Sequence, residues 1–196
     1  MFMVTFRKNY KTLLPYDKKK YLNWSNNHKS SVEWYGVSFQ LPGGFEGRKI
    51  GLREYLKAYQ AWFKNVIAQL DNGSAWIVNH EGKNMEWFPN EHNRLSTLRT
   101  LFRENNIPNT FKGALVFSTD DLLKFSKDLI SYPTALLKGR WLYQDLVISR
   151  SGLPFIIKIS HHSNIDLLST DIAFLSKTVT EYSNDFILKM YRGTSL

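Results

Sequence analysis

The chain is expected to fold as a single compact α+β domain, a mostly antiparallel sheet with two or more amphipathic helices packed on it. Three observations lead there. Apolar residues in "GLREYLKAYQAWFKNVIAQLDNG" recur every three or four positions, the period of a helix lying across a core. Short β-prone runs bounded by glycine, proline and asparagine are interspersed with such helices and pair most simply as hairpins. No repeat, low-complexity tract or linker-like stretch divides the 196 residues, and 43% hydrophobic with 15% aromatic content supplies one core.

Taken in order, "MFMVTFRK" alternates as a first strand with Val4 and Phe6 on one side. In the next stretch Asp17 stands where it would cap a short helix carrying Tyr21, Leu22 and Trp24, although an irregular loop fits equally. "SVEWYGVSFQLP" reads as a strand ended by Pro42 and the turn "GGFEG". The long amphipathic helix follows, with Leu52, Tyr55, Leu56, Tyr59, Trp62, Phe63, Val66, Ile67 and Leu70 inward and Gly73 at its stop. "SAWIVNHEGKNMEWFP" reads as a hairpin turning at Gly82, and "PNEHNRLSTLRTLFRENN" as a helix burying Leu95, Leu98, Leu101 and Phe102. "FKGALVFS" is a strand leading into "STDDLLKFSKDLIS", where Ser118 and Asp121 have capping-box spacing. The segment "WLYQDLVISRSGLPFIIKISHH" is a hairpin turning at "RSGLP". A helix is expected within "NIDLLSTDIAFLSKTVTEY", and "DFILKMYRG" is a closing strand.

Absences narrow the chemistry. The chain has no cysteine, which excludes disulfides, thiolate nucleophiles and cysteine-ligated metal. Apolar runs such as "LVI" and "FII" fall far short of the ~20 residues of a membrane-spanning helix. The start "MFMVTFRKN" lacks a secretory pattern, so a cytoplasmic address is the expectation. There is no GxSxG elbow, P-loop, GxGxxG or kinase set, and Pro42, Phe45 and Glu46 make the glycine turn a poor phosphate cradle.

Charge is unevenly spread. Residues 1–30 hold Arg7, Lys8, Lys11, Lys18, Lys19, Lys20 and Lys29 against Asp17, +6 of the net +9. These cations are interleaved with Phe2, Phe6, Tyr10, Tyr16, Tyr21 and Trp24, the mixture that single-stranded nucleic acid needs for phosphate neutralisation and base stacking. The same composition also suits rings packed inward under a solvated lysine face. Arg94, Arg99 and Arg103, with Lys138, Arg140 and Trp141, would extend the surface if the fold brought them near Lys18–Lys20. An excess of lysine favours backbone attraction over base readout.

Two adjacent histidines, His161 and His162, raise the question of catalysis. If residues 155–161 are a strand, the two rings diverge, His161 continuing an apolar row and His162 a polar one. "HKS" (His28, Ser30) and "HHS" (His161, Ser163) have the His-x-Ser form of a metal-independent acid–base phosphodiesterase, a form that also arises by chance. In that scheme His162 is acid or base, His28 its partner and Lys158 the phosphate-binding charge. A metal-dependent nuclease would use Asp145 and Lys158, but Ile156 stands where the second carboxylate is required, unless Glu81, Glu86 or Glu91 folds in. His162 and Asp166 make only two ligands, so neither metal nor cofactor is expected. The sequence therefore favours a nucleic-acid-binding protein, single strands preferred, using Arg7, Lys8, Lys11, Lys18, Lys19, Lys20 and Trp24, with or without phosphodiester cleavage. The competing class is a non-enzymatic inhibitor or immunity-type module that binds an acidic protein.

Overall fold

Strict two-residue alternation along the central strands makes one sheet with two differently furnished faces, and each face has its own cover. A computed structural model describes residues 4–27, 34–43, 49–82, 84–88, 94–137, 140–141, 145–191 and 194–196. His28, Lys29, Glu91, Lys138 and most of the "GGFEG" turn lie outside the described residues.

Eight strands form the sheet: β1 (Thr5–Arg7), β2 (Tyr35–Gln40), β3 (Trp76–His80), β4 (Ala114–Phe117), β7 (Leu146–Arg150), β8 (Leu153–Ile159), β9 (Ile165–Ser169) and β10 (Ile187–Met190). Their spatial order is β1-β4-β3-β7-β8-β9-β2-β10, and every neighbouring pair is antiparallel. A separate two-stranded ladder joins β5 (Leu136–Leu137) to β6 (Arg140–Trp141). The helices are α1 (Lys18–Asn27), α2 (Leu52–Gln69), α3 (Ser96–Glu104), α4 (Thr119–Ser131) and α5 (Ile172–Tyr182). The expected α+β class, with its antiparallel sheet and amphipathic helices, is what the chain adopts.

One face presents Val37, Phe39, Trp76, Val78, Leu146, Ile148, Phe155, Ile157, Ile159, Ile165 and Leu167 to α2–α5, making the main core. The stripe of α2 supplies Tyr59, Trp62, Phe63 and Ile67, all essentially inaccessible to water. On the opposite face Val147, Ile156 and Leu168 lie under Tyr21 and Trp24 of α1 and under Trp34, while Tyr10 covers Ile77 and Ala114. The N-terminal segment is thus the second layer of the protein.

Local chemistry sets the element ends. Asp17 Oδ1 accepts from the Lys19 and Lys20 amides at 2.8 and 3.0 Å, capping α1. Ser118 Oγ accepts from the Asp121 amide at 3.1 Å and its hydroxyl donates to the Asp121 carboxylate at 2.8 Å, starting α4. The β7–β8 hairpin closes through Ser151 and Gly152, the latter at φ 78°, where a side chain would be strained. Arg150 ties this hairpin to the end of α2. Its fully buried guanidinium donates to Leu70 O at 2.9 Å, Asp71 Oδ1 at 2.6 Å and Ser74 Oγ at 3.0 Å, and lies 4.6 Å from the Trp76 ring. It thereby takes up a helix-end carbonyl at the negative end of the helix dipole.

One expectation is corrected. Trp76–His80 has no hairpin partner in residues 84–88; its neighbours are β4 and β7, and Glu86 bridges to Lys112 instead. The helix expected within "NIDLLSTDIAFLSKTVTEY" is α5, which starts after the Asp171 cap; the residues ahead of it form β9, with Ile165 and Leu167 completing the helix-covered face.

Arg150→Met should lower unfolding free energy by about 2 kcal/mol, the loss of charge-assisted bonds at a helix end, measured by urea denaturation. An unchanged midpoint would mean that the buried guanidinium holds nothing in place.

Candidate functional site

The polar residues of the second face gather in one row across the sheet. Register sets Ser38 opposite Asp166 and Asp166 opposite Lys158, so β2, β9 and β8 each turn one polar side chain to the same side. Glu81, just past β3, and Asp145, just before β7, reach the same place from the neighbouring strands. Lys158 Nζ lies 2.9 Å from Glu81 Oε2 and 3.4 Å from Asp145 Oδ2, with 14% of the lysine side chain exposed. Burial opposes the Lys158 charge, but Glu81, Asp145 and Asp166 outweigh it and raise the amine above its ordinary pKa.

Around this centre the hydrogen bonds form a network. The Tyr21 hydroxyl of α1 donates to Glu81 Oε1 at 2.6 Å, tying the second layer to the charged row. Asp145 Oδ1 accepts from the His161 backbone amide at 2.9 Å and lies 2.6 Å from His161 Nδ1. Asp166 accepts from the Tyr191 hydroxyl at 2.6 Å and from Asn164 Nδ2. Desolvation raises the Asp166 carboxyl, and the bond from Tyr191 and the charge of Lys158 only partly offset it.

The histidines are not on a strand. Strand β8 ends at Ile159, and residues 160–164 turn through Ser163 at φ 63° with the Ser160 amide bonded to Asn164 O. The two rings do not diverge; their centroids lie 4.0 Å apart at 39°. His161 is half-buried on Asp145, whereas His162 is exposed. His162, Lys158 and Asp166 do line one recess of about 450 Å³, together with Gln40, Asn164 and Tyr191. His28 lies outside the described residues. Glu81 does fold in beside Asp145, the condition set for a metal-dependent nuclease, but the Lys158 ammonium occupies the space between the two carboxylates. Among the described residues no group of three or more His, Asp or Glu is placed to hold a metal ion.

The N-terminal cations divide in two. Arg7, Lys8, Lys11, Lys19 and Lys20 are exposed. Lys18 turns inward and donates to His80 O at 2.7 Å and the Tyr10 hydroxyl at 3.0 Å. Burial lowers its pKa to about 8, with Glu81 opposing and Lys11 adding to the fall. Of the rings proposed for base stacking, Tyr10, Tyr21 and Trp24 face the sheet and are 2%, 1% and 5% exposed, Phe6 packs on the main core, Tyr16 is half-buried at the cleft beside Lys11 and Lys19, and Phe2 lies outside the described residues. Trp24 stacks on Tyr191 at 5.6 Å and 14°, and Gly36 makes room for that ring, since a Cβ there would lie 2.9 Å from it. Exposed Lys19 and Lys11 border a cleft of about 710 Å³ that Tyr16, Leu22 and Asn84 also line. Helix α3 packs on the other face of the sheet, so Arg94, Arg99 and Arg103 do not extend the lysine surface; the Arg99 guanidinium instead covers the Phe88 ring at 4.3 Å.

Sequence reasoning missed Tyr191, Tyr21, Gln40 and Asn164 as partners of this site. Each comes from a different element, and only the polar alternation of "GVSFQ" and "IDLLS" hinted that the second face was not wholly apolar.

Compared with family models, curated proteins and solved structures, the chain matches none.

Two outcomes test the network. Lys158→Met leaves Glu81 and Asp145 buried without their cation and should cost about 3–5 kcal/mol in urea unfolding; a loss below about 1 kcal/mol would make the pairing incidental. Because the Asp166 carboxyl is raised in the folded state, its ionisation costs stability as pH rises through the folded pKa. The stability difference between Asp166→Asn and the parent should therefore move in the variant's favour from about pH 4 to about pH 7; movement the other way would contradict the raised carboxyl.

Proposed function

We propose that the protein is a non-enzymatic interaction module that docks an acidic protein on the outer face of its N-terminal layer. The observation that supports this reading most is the division within that layer. Lys8, Lys11, Lys19 and Lys20 point to solvent, whereas Tyr10, Tyr21 and Trp24 are spent on the sheet. Bases would find no stacking platform on those rings. Two aliphatic side chains are exposed instead beside the lysines: Leu13, 38% exposed, follows Lys11 and Thr12, and Met85, 40% exposed, follows Asn84 at the cleft. Apolar anchors within a charged rim are the make-up of a protein interface.

The site chemistry supports the non-enzymatic half of the reading. Lys158 is occupied by two carboxylates and so is a poor phosphate-binding charge, and His161 is held by Asp145. A second reading, attachment to a nucleic-acid backbone, is favoured by the exposed lysines together with Arg7, which would follow phosphates without reading bases.

Affinity capture from the cells of origin, with and without nuclease, separates the two. The proposal expects an acidic protein retained after nuclease treatment and lost when Lys8, Lys11, Lys19 and Lys20 are changed to glutamate. Leu13→Asp should weaken that complex at least tenfold, about 1.4 kcal/mol. Capture that disappears with nuclease, or that ignores both sets of changes, would refute it.

A further inference from the structure

The recess between the β8–β9 turn and β10 is a built polar pocket away from the lysine face, and its own chemistry says what it accepts. Gln40 lines it, is 9% exposed, and its Oε1 has no hydrogen-bond partner, while its Nε2 is used on Ser38 Oγ at 3.3 Å. An acceptor buried without a donor is costly, and a ligand that brings a donor removes that cost. Asp166, 3% exposed, lies in the same lining. The nearby ionisable groups add to the demand for a donor. Glu81, Asp145 and Asp166 stand against Lys158, whose contacts with Glu81 and Asp145 already balance part of its charge. Lys158 and His162 also line the recess, but the ammonium is held by Glu81 and Asp145, so Gln40 Oε1 and the Asp166 carboxyl are the acceptors that an entering donor meets.

We propose that this recess binds a guanidinium or primary ammonium group, which donates to Gln40 Oε1 and to the Asp166 carboxylate. Tyr191, whose ring Trp24 covers on one side, forms part of the wall and gives the cation an aromatic neighbour. The volume of about 450 Å³ admits such a head with a short carbon chain. Both a free small molecule and an arginine or lysine side chain of a peptide carry this head. The proposal does not depend on the acidic-partner reading, because the lysine face and the recess are lined by different residues.

The test is a titration of the full-length protein with methylguanidinium, methylammonium, acetate and N-methylacetamide, followed by the NMR signals of the Gln40 side-chain amide and of the 164–166 backbone. An acetylated, amidated Gly-Arg-Gly peptide serves as the chain-borne arm. The expected result is saturable shifts with methylguanidinium or methylammonium and at least tenfold weaker binding in Gln40→Leu. A tighter response to the peptide than to methylguanidinium assigns the pocket to a side chain; the reverse assigns it to a free ligand. Asp166→Asn should weaken binding likewise, and Gln40→Leu keeps the test decisive if that variant is misfolded. The proposal is overturned if only acetate or N-methylacetamide saturates, if no probe does, or if Gln40→Leu binds the cations as the parent does.

Discussion

Lys158 is the interaction on which the second face of this protein depends. A lysine on a central strand, covered on its own side by another layer, loses much of its hydration, a cost of several kcal/mol for an unpaired ion. The fold meets that cost by bringing Asp145 to the amine from the start of the adjacent β7 and Glu81 from the end of β3, one strand further on. Those carboxylates are in turn held by Tyr21 and by His161. The chain of contacts therefore runs from the sheet centre into α1 on one side and the β8–β9 turn on the other. The N-terminal layer is anchored by polar contacts as well as by its packed rings, among them Tyr16, Tyr21, Trp24 and Trp34 at centroid separations of 5.4–6.3 Å.

This arrangement changes the meaning of the basic N-terminal sequence. Cations and rings intermingled along a chain suggest one surface that uses both. Here the helical period of α1 and the turn at residues 11–13 sort them, rings onto the sheet and most lysines to water. Among the described lysines of this segment Lys18 alone goes inward, bonded to the end of β3. What remains outside is a cationic face whose attraction is long-ranged and whose selectivity has to come from shape and from neighbours such as Leu13 and Met85.

Much of the fold was legible because its signals are local. The three-and-four spacing of α2, the Ser118–Asp121 cap and the Ser151–Gly152 turn each act within a few residues, and each element formed as read, except that Leu52, expected inward, sits in the first turn of α2 and is 57% exposed. The failures are non-local. Trp76–His80 resembled the first arm of a hairpin, yet its partners come from residues 114–117 and 146–150, which no turn signal announces. Residues 165–169 carry Ile165, Leu167 and Leu168 in a spacing that serves helix or strand, and the open place beside β8 decided for strand. At the candidate site Lys158 and Asp145 were visible as a hairpin pair and Glu81 as a residue that could join them. The pairing of the amine with both carboxylates was not, because it rests on the sheet order. The two histidines were misplaced because β8 ends at Ile159, two residues before the end that alternation suggests.

The central claim, that Lys158 is a charge held by carboxylates and not an amine tuned for chemistry, is tested most directly by its own titration. Selective labelling of lysine side chains and an NMR pH titration of the Lys158 εCH₂ group would report it. The account predicts an amine pKa above that of an ordinary lysine. A value displaced toward neutrality would mean that desolvation prevails over Glu81 and Asp145, and would return Lys158 to the candidates for a catalytic or phosphate-binding role.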